Sequence, residues 1–331
     1  MYFYTSGYGD YIYYCNYDKE LTVLEKYLSP GATYLRQFGK FLYATNEIPG
    51  KATAFKINDD ASLTLLNEVY VGGDSPCHLS FNEDGSLVYI ANYMSGTTSI
   101  LNILQDGSLG EISKIIDHTT FASPSKVYPK RQDTAHAHYA EYIDGNVWVC
   151  DLGLDMVLVI NGEGQAIAQY KAPAGSGPRH LVFNNKCQMV YLICEMGNIV
   201  VPLSIDYLSL RGRHLPTLPD NLPTHSDSAA IRISPGGNFL FASNRGKSSD
   251  SISVFSLNKD GSIYGLDSTV PTYGKCPRDF IFAPTHDKVL VACQESNKVN
   301  LLDWEEKTGT LSYAGLFVEV DQPTCVLFPN L

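Results

Sequence analysis

Six segments of the 331-residue chain share one plan: an apolar run that starts near a Pro or His, a turn, and a second apolar run that ends in a polar group or cysteine. They begin at Ala32, Pro76, His136, Pro178, Ser228 and Pro277, with turns such as Asp84-Gly85, Asp144-Gly145 and Gly236-Gly237. These dipeptides mark β-hairpins, because glycine accepts the positive φ of a tight turn. The second runs end at Asn46, Asn92, Asp151, Cys194, Asn244 and Gln294, at intervals of 46, 59, 43, 50 and 50 residues. Self-similarity at such a period points to propeller blades. Another strand pair follows each hairpin, as at 97–104 and 110–113 or 251–257 and 262–264, giving four strands per unit.

The chain ends hold the two halves of a seventh hairpin. Gln322-Pro-Thr-Cys-Val-Leu-Phe reads as a first strand without a second, and Met1-Tyr-Phe-Tyr-Thr-Ser-Gly as a second without a first. Joined, they close a ring and pair strand edges that would otherwise be open. The predicted fold is all-β: one seven-bladed β-propeller domain over residues 1–331, with four-stranded blades and the ring closed by the N- and C-terminal strands. A β-sandwich or two barrels would not explain why each terminus carries half of one motif. The most irregular stretches are 114–134, inside the long interval, and 208–226 with its prolines.

Composition narrows the function. A net charge of −11 argues against nucleic acid or an anionic membrane surface as partner. No apolar run approaches the roughly 20 residues that span a bilayer. The start of the chain lacks a basic segment and an apolar h-region, so a cytoplasmic location is expected. The eight cysteines are dispersed, without a CxxC, which suits buried thiols better than disulfides or structural zinc.

In a propeller the first strands line the central channel, and their starts share a mouth with the ends of the second strands. Around the ring those positions hold Glu47; His78 and Tyr93; His136, His138 and Asp151; Arg179, His180 and Glu195; Asn244 and Arg245; Arg278, Asp279, Gln294 and Glu295. Four of the eight histidines fall in this set. Bland roles compete: His78 and His180 as partners of backbone carbonyls between blades, Asp151 and Asn244 as acceptors for turn amides. His136 and His138, two apart on a strand, share a face and form a possible metal pair, but no third ligand is evident. Arg179, Glu195 and Arg245 are harder to dismiss, since two guanidiniums beside one carboxylate call for an anionic guest.

Gly177-Pro-Arg-His-Leu-Val-Phe, Tyr191-Leu-Ile-Cys-Glu, Ser234-Pro-Gly-Gly-Asn-Phe-Leu-Phe-Ala-Ser-Asn-Arg-Gly, Cys276-Pro-Arg-Asp-Phe, Ala91-Asn-Tyr, His136-Ala-His and Asp151-Leu-Gly-Leu-Asp are specific in this order and spacing. Over nearly its whole length the chain resembles the seven-bladed lactonase family, which includes cytosolic propeller 6-phosphogluconolactonases and fungal carboxy-cis,cis-muconate cyclases. The resemblance implies a catalytic set of one His, one Glu and two Arg, matched here by His138, Glu195, Arg179 and Arg245; Arg131-Gln132 also matches. Departures lie at turns: Gly31-Ala-Thr-Tyr in the first blade, Asn184-Asn-Lys-Cys after Phe183, and a turn without proline at Ile143-Asp-Gly-Asn.

The resulting expectation is hydrolysis of a phosphorylated sugar δ-lactone, 6-phosphogluconolactone in the pentose phosphate pathway, without cofactor or metal. Glu195 and His138 would act as base and acid in either order, with Arg179 on the oxyanion. Arg245 and Arg278 would hold the phosphate, and His136, His180 and Gln294 would complete the substrate site. A carboxymuconate-type cycloisomerase or lactonase, or a propeller that binds a ligand without catalysis, are the alternatives.

Overall fold

In the computed structural model, residues 1–206, 208–219, 226–246 and 249–330 are described. Within them 28 strands, β1 to β28 in chain order, form seven four-stranded antiparallel sheets. Blades 1 to 6 are β4–β7, β8–β11, β12–β15, β16–β19, β20–β23 and β24–β27; blade 7 has the order β28-β1-β2-β3. The ring is thus closed as predicted, by β28 (Pro323–Leu327) pairing with β1 (Tyr2–Gly7). Blade 4 is the least regular, its outermost strand β19 being only Leu215–Pro216. The other irregular stretch starts later than its sequence suggested, because β11 continues to Asp117 and a 3₁₀ turn covers His118–Thr120. Residues 220–225 of the second irregular stretch lie outside the described residues.

Position in the blade determines the burial pattern. Middle strands are apolar on both faces because each is sandwiched between neighbouring blades, as in β14 (Met156–Ile160) and β17 (Met189–Cys194), buried at every residue. Outer strands alternate, as in β15 (Ala166–Lys171). The core is correspondingly a set of seams between adjacent blades. One joins Tyr139, Trp148 and Val157 of blade 3 to Leu181, Val190 and Leu192 of blade 4. The turn between β12 (Ala137–Ile143) and β13 (Asn146–Asp151) puts Asp144 at φ 48° and Gly145 at φ 83°, the two positive values a two-residue hairpin needs.

The innermost strands are the first of each blade, and they contact one another around the ring: β4 with β8, β8 with β12, β12 with β16, and on to β28 with β4. Each carries one extra residue near its upper end. In β8 (Pro76–Phe81), Pro76 faces Asn92 and His78 faces Ala91, so Cys77 is unopposed. The same count leaves Thr33, His138, Arg179, Arg278 and Thr324 unopposed in blades 1, 3, 4, 6 and 7. In blade 5 the shift falls between Ser228 and Ile231. A β-bulge re-aims its extra side chain, and here it does so seven times around one channel.

Closure by β28 is a burial problem as much as a hydrogen-bonding one. Val326 sits in a seam with Phe3, Leu290 and Leu301. Val326→Asp should therefore lower unfolding stability in urea by more than about 3 kcal/mol, because the carboxylate has no cation in that seam. Leu24→Asp, on a half-exposed position of β3, should stay within about 0.5 kcal/mol of the parent.

Candidate active site

The bulge residues build the floor of a cavity. Thr33, Cys77, His138, Arg179, Arg278 and Thr324 all line the narrow inner part of the channel. A second ring lies one step above, at the ends of second strands. Tyr8, Glu47, Tyr93 and Glu195, each just past its strand, and Arg245, the last residue of β21 (Phe239–Arg245), line an outer chamber of about 270 Å³, joined by Arg131 and Asp227. That volume suits one sugar-sized guest. A larger groove, about 930 Å³, runs past Asp250, Tyr273 and Glu295, but it gathers no comparable set of guanidiniums and imidazoles, so the chemistry selects the smaller chamber.

Glu195 is the centre. Its carboxylate is 2% exposed and meets three arginines. Arg179 Nε donates to Oε2 at 2.9 Å, Arg245 Nη2 reaches Oε2 at 2.7 Å, and Arg131 Nη2 donates to Oε1. Arg179 is further fixed by Nη1 donating to the Ala229 carbonyl at 2.7 Å, across the blade boundary at the bulge of blade 5. Burial by itself would push the Glu195 carboxyl up; Arg245, Arg179 and Arg131 together outweigh it and hold it well below the usual carboxylate range. Arg179 feels the crowding in return: burial first, then Arg245 and Arg278, bring it down to about 10 against the pull of Glu195, which leaves it charged at neutral pH. The Nε groups of Arg245 and Arg278 are buried with no hydrogen-bond partner among the described residues. Buried donors without acceptors are costly, and an entering anion would relieve them.

His138 lies in the channel wall with its ring edge-on to Tyr93 (5.6 Å between centroids) and to His180 (5.3 Å). Cys77 Sγ stands 4.0 Å from its Nδ1. Burial, then Arg179, holds His138 well below its ordinary value, so it is a neutral imidazole at pH 7. His180 sits deeper, Nε2 3.5 Å from Arg179 Nη1, and His78 has Nδ1 3.1 Å from the Ala140 carbonyl, the interblade role foreseen for it. Burial depresses both of these as well.

Two expected substrate contacts are not at the cavity. His136 precedes β12, its ring stacks on Tyr93 at 4.7 Å, and its nitrogens face the Tyr93 carbonyl and the Asp133 carboxylate, each at 3.0 Å. The bulge at His138 breaks the two-residue alternation, so the two imidazoles do not share a face and the metal pair does not form. Gln294 falls in a 3₁₀ turn, Gln294–Ser296, where its Oε1 lies 3.6 Å from Cys276 Sγ, away from the chamber. The strand partner of Pro277 is Cys293, so the repeat ends one residue earlier than Gln294. Asp151 accepts the backbone N–H of His136 and Leu154 at 2.8 and 2.9 Å and pairs with buried His118; Asn46, Asn92 and Asn244 bond Ser and Thr hydroxyls of their own blades.

Arg131 is the main functional candidate that the charge map passed over. It does not belong to the repeat: the connection between blades 2 and 3 carries it, and the only sign of it was the Arg131-Gln132 resemblance. Tyr8 was hidden by stopping the terminal strand at Gly7; one step further along the ruler finds it, its hydroxyl donating to Glu47 Oε2 at 2.9 Å.

The sequence profile described as "Lactonase, 7-bladed beta-propeller" matches residues 3–328. The chain belongs to this lactonase family. Among its relatives, the 6-phosphogluconolactonase of Bacillus subtilis (strain 168) is 29% identical, the match covering 98% of this chain and 96% of that protein. The 6-phosphogluconolactonase of Formosa agariphila is 36% identical over 82% of this chain and 80% of the relative. A crystal structure of a Lactobacillus plantarum protein superposes with a TM-score of 0.89 at 29% identity over all of both chains. The periplasmic gluconolactonase of Pseudomonas aeruginosa, at 23% identity, shares the fold with a TM-score of 0.88 over 98% of each chain.

Two stability outcomes follow for this lactonase-family site. Glu195→Gln leaves three crowded guanidiniums with only the more exposed Asp227 beside Arg131 and should cost about 3–5 kcal/mol in urea unfolding, with phosphate or sulfate restoring more stability to the variant than to the parent. Separately, His78, His138 and His180 are neutral when folded, while the unfolded chain takes up protons below about pH 6.5. Below that pH the unfolded state binds more protons, so stability falls with acid, by up to about 4 kcal/mol per pH unit for three such groups. His180→Gln should flatten that slope by about a third, measured by urea titrations between pH 5 and 7.

Proposed function

We propose that the protein hydrolyses a phosphorylated sugar δ-lactone, with 6-phosphogluconolactone as substrate and 6-phosphogluconate as product, a step of the pentose phosphate pathway. The observation that carries this reading is one buried carboxylate ringed by three guanidiniums, beside a neutral imidazole and two unpartnered guanidinium N–H groups. The names of the curated relatives support it. Eight free cysteines, five of them buried, are compatible with the reducing cytoplasm where we place the reaction.

In this mechanism Arg245 and Arg278 bind the phosphate, their Nε donors, unpartnered among the described residues, pairing with its oxygens. Arg179 faces the ring carbonyl and stabilises the oxyanion; removing one such donor typically costs ~10²–10³ in rate. Water attacks the carbonyl carbon and gives a proton to Glu195 as the new C–O bond forms. The C–O bond to the ring oxygen then breaks. Glu195 is ionised and His138 neutral at the outset, so the proton that reaches the ring oxygen is the one water released, passed on through His138. The product is the open hydroxy acid. A general acid–base group of this kind contributes ~10²–10⁴ in rate. A carboxylated muconate-type lactone would meet the same arginines, so the substrate panel must include one.

The test is a coupled assay on freshly generated 6-phosphogluconolactone, glucono-δ-lactone and a carboxymuconolactone. Phosphorylated lactone should be preferred, and Arg245→Ala should remove that preference by raising KM at least 10-fold. Glu195→Gln and His138→Gln should each lower kcat by 10² or more, on the ~10²–10⁴ scale of such groups. Equal rates on both sugar lactones, or faster turnover of the carboxymuconolactone, would overturn the assignment. Retention of activity within a few-fold in Glu195→Gln would remove Glu195 from the chemistry.

A further inference from the structure

At rest, Glu195 meets three guanidiniums: Arg179 and Arg245 at Oε2, Arg131 at Oε1. Of a carboxylate's roughly four lone-pair positions only one, on Oε1 beside Arg131, is left, and the three cations together hold its basicity down. Release of one of them would give a reacting water an open oxygen and a stronger base, and the three differ in their freedom to leave. Arg179 is 4% exposed, extends from a bulge and is tied to the Ala229 carbonyl. Arg245 is 12% exposed and is the last residue of the second strand of blade 5, Phe239–Arg245. Arg131 is 39% exposed, stands at the solvent side of the chamber, and comes from a segment with no regular structure between Thr120 and Ala137.

That segment is nonetheless fixed at its root. Ser125 N–H donates to the Gly153 carbonyl at 2.9 Å, and buried Gln132 donates from Nε2 to the Leu152 carbonyl at 2.9 Å. The chain passes so close over Gly153 that a Cβ there would lie 1.9 Å from the Thr134 carbonyl oxygen. The backbone is therefore held while the Arg131 side chain lies along the chamber wall, with Nη1 3.8 Å from Asp227 and Nε 3.4 Å from the Tyr93 hydroxyl.

We infer that Arg131 is an exchangeable counter-ion, which masks Glu195 in the resting protein and moves to the anionic group of the incoming substrate, freeing Oε1 for the reacting water. The exchange is favourable because a phosphate offers more charge and a bidentate acceptor. The charged and titratable groups that face Glu195 are Arg179 of its own blade, Arg245 and Asp227 of blade 5, Arg131 of the strap, His138 and Tyr93 of blades 3 and 2, and Cys77 and Arg278 across the channel. Three of the cations hold its carboxyl down, so withdrawing one raises its basicity when a substrate is present. A neutral lactone cannot recruit Arg131 and meets a masked base. Discrimination then appears in kcat and not only in KM. This rests on the lactonase reading above for its kinetic arm alone.

The test compares the full-length parent with Arg131→Met. In kinetics, the variant should lose at least 10-fold of the kcat advantage of 6-phosphogluconolactone over glucono-δ-lactone, while its kcat on the neutral lactone rises several-fold. Equal losses on both lactones, or an unchanged neutral kcat, would overturn the exchange. The second arm needs no turnover. The Glu195 carboxyl ¹³C signal, assigned with Glu195→Gln, is followed by NMR at pH 7 as sulfate is added, an anion that carries no proton at that pH. In the parent, sulfate should shift the signal saturably. In Arg131→Met the signal should start displaced in the same direction and respond less. The same sulfate response in both proteins sinks the inference even if lactonase activity is present, and a parent-only response upholds it even if neither lactone is a substrate.

Discussion

The site depends on one unopposed residue near the upper end of each innermost strand. In a regular strand alternate side chains point to opposite faces, and in a propeller those faces pack against neighbouring blades. A regular strand would send Cys77, His138, Arg179 and Arg278 into that packing or leave them on its margins. The bulge removes each from the ladder and turns it toward the axis. Because it recurs at the same height around the ring, residues from six blades meet at one level of the channel. The second ring, at or one residue beyond the ends of the second strands of five blades, is placed by the same register. Catalytic geometry here is a property of strand pairing before it is a property of any loop.

The charges of the channel are arranged in two ways along its length. About 10 Å below the bulges, three residues along the strands, the cations are balanced one to one. Arg36 makes a bidentate pair with Glu141 at 2.5 and 2.6 Å, and Arg232 reaches Asp279 at 2.8 Å. The first pair reaches from blade 1 past blade 2 to blade 3, the second joins the adjacent first strands of blades 5 and 6, and both satisfy themselves. At the upper mouth three arginines share one carboxylate, and a fourth, Arg278, has the Tyr8 ring 5.8 Å from its guanidinium carbon. Between the two levels lie uncharged rings: Tyr34, His78, Tyr139 and His180 follow one another at centroid distances of 4.3 to 5.5 Å. The depressed imidazoles stay neutral, and the carboxylate at this register in blade 6, Asp279, is met by Arg232 from below, so the layer adds no net charge to the excess above it.

Much of this was legible in the sequence. The six hairpins and the split seventh were visible because turn dipeptides and apolar runs repeat, and the strand that closes the ring was found from its two halves. Arg179, Glu195 and Arg245 were placed at one mouth by their offsets from the repeat. The failures have physical causes. Period-two reasoning put His136 beside His138 on one face, and a bulge, which leaves no mark on the hydrophobic pattern, separated them. Gln294 was one residue off because the backbone turns into a 3₁₀ helix where a strand end was assumed. Cys77 looked like a buried thiol among others, since nothing in its neighbours announces that it is unopposed. Arg131 lies in a segment with no period at all, and only its three-dimensional path over Gly153 brings it to Glu195.

That contrast separates two parts of the site with different physical origins. The repeat supplies Arg179, Glu195, Arg245, His138 and Arg278, groups held by strand pairing and deeply or partly buried, whose positions can change little without breaking a blade. The insertion between blades 2 and 3 supplies a single exposed guanidinium from outside the sheet register. A rigid ring of buried arginines can preorganise an anion site but cannot alter the state of its own carboxylate, because every partner is fixed. A cation attached to a separate segment can, since its contact with Glu195 competes with contacts to Asp227, Tyr93 or a guest. Among the described residues, the long interval that interrupts an otherwise even repeat is therefore where the fold gives the site a movable charge, and a substrate that carries its own anion is the natural competitor for it.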